Sequence, residues 1–218
     1  MIRDFSIVFE NIDRLLAGLM NTLLLSTTGL LLSLLFGIVF AAALMSDNRF
    51  VVRSTRTLVD TMRCIPFLLL AYLVYYALPS VGLNFDNWTS GLVAIVIYNA
   101  GYMAEILRGV CPELPRESID ARSASGFHGR HLYLRIILPQ VVLAAIPMIG
   151  NQSIQVIKDT AFLMIIAVPE LTHAASSIQS KYYVPFAAFI SAVVLYWAMC
   201  SVIEAGVRHL ERIAEVRR

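Results

Sequence analysis

From residue 15 to residue 45 the chain carries no charged side chain. A membrane crossing needs about 20 consecutive apolar residues, so this run spans a bilayer with length left over for tilt or an interfacial lead-in before Asn21 and Thr22. The apolar core of a cleaved export signal is only about 7–15 residues, which excludes that reading. The rest of the chain agrees. With 58% apolar residues, 15% charged residues and a mean hydropathy of +0.73 over 218 residues, it lies outside the range of soluble domains. The expected fold class is an all-α integral membrane protein.

Four further apolar stretches follow: 64–85, 90–107, one starting at Pro139, and 184–203. Short cytoplasmic loops collect Lys and Arg, and the charges between these runs are lopsided. Thirteen of the 17 basic residues fall in three segments: Arg49, Arg53, Arg56 and Arg63; the arginines at 108, 116, 122, 130 and 135; and Arg208, Arg212, Arg217 and Arg218. Residues 79–88 contain Asp86 and no Lys or Arg. The expectation is about five transmembrane helices, with the N-terminus outside and the C-terminus cytoplasmic. Residues 1–17 then form an external segment, 18–206 the transmembrane domain and 207–218 a basic cytoplasmic tail, its end frayed and amphipathic. The connection at 168–183 lies outside.

Residues 108–140 form the longest polar stretch, with five arginines against Glu113, Glu117 and Asp120. Pro115 ends whatever precedes it, Gly126 suits the left-handed residue that closes a short helix, and Pro139 suits the first turn of the next membrane helix. Two short helices joined by a turn are too small to bury themselves. They need a partner surface or the lipid headgroups, unless the loop is only a solvated connector.

The order Asp120-Ala121-Arg122, three residues, Gly126, nine residues, Ile136-Ile137-Leu138-Pro139 resembles the EAA loop of bacterial ATP-binding-cassette importer permeases. The spacing matches throughout, while Asp120 stands for Glu and Arg122 for Ala. Residues 18–26, Met62-Arg63-Cys64-Ile65-Pro66, Tyr75-Tyr76-Ala77-Leu78-Pro79, residues 99–109, Gly150-Asn151-Gln152, Lys158-Asp159-Thr160 and Val168-Pro169-Glu170-Leu171 are similar to the polar amino acid branch of that family. Departures occur at Cys64-Ile65, Leu70 and Ala161-Phe162, where the branch usually has Gly-Thr, Gln and Ser-Leu. Leu70 bears on the substrate class, because it removes a polar group from a span.

The resemblance implies a type I importer permease fold with a cytoplasmic helix-turn-helix coupling loop. The implied activity is translocation of a polar amino acid or related small polar solute across the inner membrane. The implied coupling residues are Asp120, Ala121, Arg122, Gly126, Phe127, Ile136, Leu138 and Pro139. The implied partners are ABC ATPase subunits, a second permease subunit (identical or homologous) and a periplasmic solute-binding protein, beside the solute and membrane lipid. No cofactor, metal or nucleic acid is implied.

Within the spans, Lys158 and Asp159 stand out. An ionisable group at depth costs about 2.5–3.5 kcal/mol on insertion scales, so it faces a partner or a wet cavity; alternatively both snorkel to water at the outer end of the fourth span. Neighbours on a helix point about 100° apart, so each needs its own partner. Asn151, Gln155 and Lys158 sit at i, i+4 and i+7 and form one helical stripe. Such amides line a polar path or bond between helices. Asn99, Tyr102, Glu105, Gln152 and Asp159 complete the candidate path, although Glu105 also suits an i,i+3 ion pair with Arg108. Gly101 and Gly150 suit close helix approach.

Neither lysine follows a glycine, so the chain has no P-loop and is not itself an ATPase. The rival is an ion-gradient-driven secondary transporter, which favours an internal inverted repeat. Five spans do not divide into equal halves, and no repeat is visible. No hydrolase motif is present either.

Overall fold

The computed structural model describes residues 2–111 and 137–216, with side chains through residue 212. A short amphipathic helix, α1 (Ile2–Glu10), precedes α2 (Ile12–Leu44). The lead-in before Asn21 is therefore continuous helix. Asn48 caps α3 (Arg49–Cys64) by accepting from the backbone N–H of Phe50 at 2.9 Å. Pro66 forces Ile65 into extended backbone (ψ 129°) and ends α3 there. Helix α4 (Phe67–Tyr72) runs on through a π-helical turn (Leu73–Ala77) and a 3-10 turn (Leu78–Val81). Asp86 caps α5 (Asn87–Val110), accepting from Trp88 N at 3.2 Å. The Thr89 side chain and these backbone N–H groups hold its carboxyl below the usual carboxylate range.

Pro139 lies in the first turn of α6 (Leu138–Ala144), as its position predicts. Pro147 lies in the first turn of α7 (Ile146–Thr160), which is followed by a 3-10 turn (Ala161–Ile166). Helices α8 (Leu171–Tyr182) and α9 (Pro185–Val216) complete the described chain. The segment read as an outer connection thus contains a helix, whose Leu171, Ala175 and Ile178 are buried. The tail read as frayed continues α9 without a break to Val216.

Helices α2, α5 and residues 185–212 of α9 are each long and apolar enough to cross a membrane. Two bent pairs bring the total to five if each is one span: α3 with 67–81, bent by 100°, and α6 with 146–166, bent by 64°. Side-chain contacts fix the relative directions. A Cβ on Gly29 would meet Ile95, and one on Gly37 would meet Met103, so α2 and α5 run parallel with their backbones close. Val59 packs with Ala104, and Phe67 with Tyr98, so the α3–α4 pair runs against α5. Gly150 opposes Val207 while Lys158 lies by Cys200, and Gln152 meets Asn99 while Leu163, just past α7, meets Gly91, so α7 runs against both α9 and α5. The close approaches expected of Gly101 and Gly150 are both present, Gly101 against Met62 and Arg63.

The main core joins Leu25, Phe67, Leu70, Ile95, Val156 and Leu163 from five elements. Leu70, where the resembling family often has Gln, is buried in it. The outer faces of α2 and α9 stay apolar and exposed, with Leu31, Leu35, Val39, Val194 and Val202 among them.

Candidate translocation groove

Helix α7 carries its amides and charges on two faces. Asn151, Gln155 and Lys158 are exposed and line one groove of about 570 Å³ between α7 and α9. The i, i+4, i+7 stripe therefore opens onto a single space. The opposite wall comes from α9 with Tyr196, Trp197, Cys200, Ser201 and Glu204, and Ile154 and Val193 add apolar surface. Glu204 pairs with Arg208 at 3.0 Å along its own helix, whereas Lys158 makes no ion pair among the described residues.

Asp159, about 100° round the helix from Lys158, is buried. One of its oxygens accepts from Gln155 Nε2 at 2.8 Å, and the other has no hydrogen-bond partner among the described residues. Lys158 and Asp159 thus have separate environments, as their angular separation requires. Gln152 turns away from the groove and donates to Asn99 Oδ1 at 2.7 Å, while Asn99 Nδ2 donates to the carbonyl of Ile95 at 3.0 Å. This is the interhelical hydrogen bond that most intramembrane amides make.

The other candidate path residues lie apart from the groove. Tyr102 lies 3.3 Å from the Tyr98 hydroxyl, donates to the carbonyl of Arg63 at 3.4 Å, and packs under the Arg63 guanidinium at 5.3 Å. Glu105 makes a two-point ion pair with Arg108, one contact being Arg108 Nε to Oε2 at 3.0 Å. It faces a smaller recess of about 180 Å³ with Arg56 and Asp60. Leu138 and Pro139 open α6. Asp120, Ala121, Arg122, Gly126, Phe127 and Ile136 lie outside the described residues.

Sequence reasoning missed the α9 wall and Glu170. Tyr196 and Trp197 sit mid-span, where these residues are uncommon because they prefer the interfaces, and that was the available signal. Glu170 stood within the Val168-Pro169-Glu170-Leu171 stretch similar to the polar amino acid branch, but an acid in a connection between spans reads as solvated, so its burial was not foreseen.

An open polar stripe in an apolar bundle thus faces a groove large enough for a small solute. The chain belongs to the family of binding-protein-dependent transport system inner membrane components, which it matches over residues 33–215, and its fold is that of the type I ABC importer permeases. It is 30% identical to the probable glutamine ABC transporter permease protein GlnM of Bacillus subtilis, over 97% of this chain and 98% of that protein. It is also 30% identical to the arginine ABC transporter permease protein ArtQ of Haemophilus influenzae, over 87% and 88% of the two chains. The solved structure of an amino acid ABC transporter with histidines superposes with a TM-score of 0.87 at 25% identity, covering 95% of this chain and 97% of that one.

Proposed function

We propose that this chain is the permease subunit of an ATP-driven importer that moves a polar amino acid, or a related small polar solute, across the inner membrane. The observation that carries the reading is the stripe of Asn151, Gln155 and Lys158 on one open groove. A lysine within a span, without an ion-pair partner among the described residues, is costly unless an anion visits it. The carboxylate common to all amino acids supplies that anion through a charge-assisted hydrogen bond. Gln155, whose amide N–H₂ is engaged by Asp159, offers its carbonyl to the solute's ammonium, and Asn151 adds a neutral donor and acceptor.

Energy comes from separate ATPase subunits, solute from a periplasmic binding protein, and the second half of the path from a second permease subunit. The relatives include two probable glutamine permease proteins of one organism, Bacillus subtilis, which supports a second, homologous subunit. The N-terminus is periplasmic and the C-terminus cytoplasmic. Residues 120–139 serve as the dock for the ATPase, with Gly126 the residue on which the coupling depends. Gly126→Val is expected to insert normally and to lose uptake, and full uptake by it would reduce the loop to a connector.

The test of the groove is uptake of radiolabelled L-glutamine and L-arginine by cells carrying the complete importer. Lys158→Met is expected to assemble and to lose uptake by about a hundredfold, the scale of one charged hydrogen bond, with Lys158→Arg retaining part. Unchanged uptake in Lys158→Met would refute the groove as the solute path.

A further inference from the structure

The groove wall facing Lys158 is fastened from behind by a buried acid. Tyr196 lines the groove, and its hydroxyl donates to Glu170 Oε2 at 2.8 Å and lies 3.1 Å from Thr172 Oγ1. Glu170 is fully buried, a rare state for an acid unless every oxygen is engaged. Its remaining partners are the backbone N–H groups of Thr172 at 2.7 Å and His173 at 2.6 Å, so it caps α8.

The same helix start is tied to α2. Thr22 Oγ1 accepts from Leu171 N at 3.1 Å, and Asn21 Nδ2 donates to the carbonyl of Pro169 at 2.8 Å. Helices α2, α8 and α9 therefore meet at one helix start, where the buried carboxylate itself bonds α8 and α9. Capping alone does not explain a glutamate here. A Ser, Thr or Asp caps a helix with a shorter side chain and less buried charge, whereas the longer arm of Glu170 also reaches α9 and holds the aromatic ring of the groove.

We infer that Tyr196 is a positioning residue of the groove: its hydroxyl, held by Glu170 and Thr172, fixes the wall that solute meets opposite Lys158. This rests on the groove carrying solute. Without the hydroxyl the ring keeps its place in the sequence of α9 but loses its anchor, so the groove no longer holds one shape. The loss is expected in solute recognition before it is felt in assembly.

Cys200, on the same wall, provides the readout. In the purified complete importer with Cys64 and Cys111 replaced by serine, labelling of Cys200 by a maleimide is followed with and without a mixture of the nineteen protein amino acids other than cysteine, whose thiol would consume the reagent. The mixture is expected to slow labelling of the parent. In Tyr196→Phe this protection is expected to fall by about tenfold, the lower end of the scale for one hydrogen bond to a charged acceptor because the hydroxyl acts on solute only through the ring, with complex yield and thermal midpoint close to the parent's. Glu170→Gln is expected to follow in the same direction. Undiminished protection in Tyr196→Phe, with protection present in the parent, overturns the anchor while leaving the groove reading intact. Absence of protection in the parent, together with normal uptake by Lys158→Met, overturns both. If Tyr196→Phe fails to assemble, Thr172→Val is read in its place, and failure of both to assemble makes the cluster purely structural and overturns the inference.

Discussion

Gln152 and Gln155 stand one turn apart on α7 and have opposite surroundings. Gln152 lies against α5, where Asn99 takes its N–H₂; Gln155 lies on the groove and is engaged from below by Asp159. The inward face of the helix is closed, its amides satisfied across a seam. On the outward face Asn151 and Lys158 are exposed, with the groove before them. In an apolar bundle the residue type does not distinguish a structural amide from a working one; whether the space beside it is occupied does.

That contrast is open to attack on both faces. The largest effect is expected at Gly150, whose missing side chain lets α9 close against α7 at Val207. Gly150→Val forces the helices apart at a cost of about 3 kcal/mol, and the yield of monodisperse, detergent-extracted protein should collapse; a normal yield would mean that the α7–α9 seam yields freely and that the groove has no fixed width. Next comes the outward face. Asn151→Leu and Gln155→Leu should each lower maximal amino acid uptake by about tenfold, one hydrogen bond's worth, while the thermal midpoint stays within a few degrees. Normal transport in both would place these amides with Gln152 as structural groups. The inward face should respond in the reverse sense. Gln152→Leu leaves a buried acceptor on Asn99 unpaired, costs about 1 kcal/mol, and should lower the thermal midpoint with uptake per folded complex unchanged. A loss of selectivity in that variant would move the path to the α5 side.

The bundle was legible where charge and periodicity speak for it. Charge-free runs and arginine clusters located the crossings, and Pro139 marked the start of α6 because its missing N–H costs nothing in a first turn. The stripe of Asn151, Gln155 and Lys158 was legible for the same reason, since helical spacing alone puts those residues on one face. Other features had no local mark. The bend between α6 and α7 at Ala145 is the exception, since Pro147, two residues on, is a helix-breaking mark that sequence reasoning missed. The separation of Glu105 from the groove depends on which side of α5 meets α3, a tertiary fact. The burial of Glu170 is settled by Tyr196, twenty-six residues later.

Ala167 ends the 3-10 turn with a φ of +55°, a backbone handedness that L-amino acids other than glycine seldom adopt. Its carbonyl accepts from Asn87 at 3.3 Å, and its N–H reaches Met164 at 2.9 Å. A glycine would adopt this conformation without strain, recovering roughly 1 kcal/mol locally while adding disorder to the unfolded chain. Alanine leaves the two contributions nearly balanced, so Ala167→Gly should change the thermal midpoint little, and a shift of many degrees in either direction would show that one of them dominates. What alanine provides is fewer alternative shapes: the two residues between the inverted backbone and the buried Glu170, Val168 and Pro169, inherit a narrow range of directions, and the segment joining the fourth crossing to α8 behaves as a fixed elbow instead of a swivel.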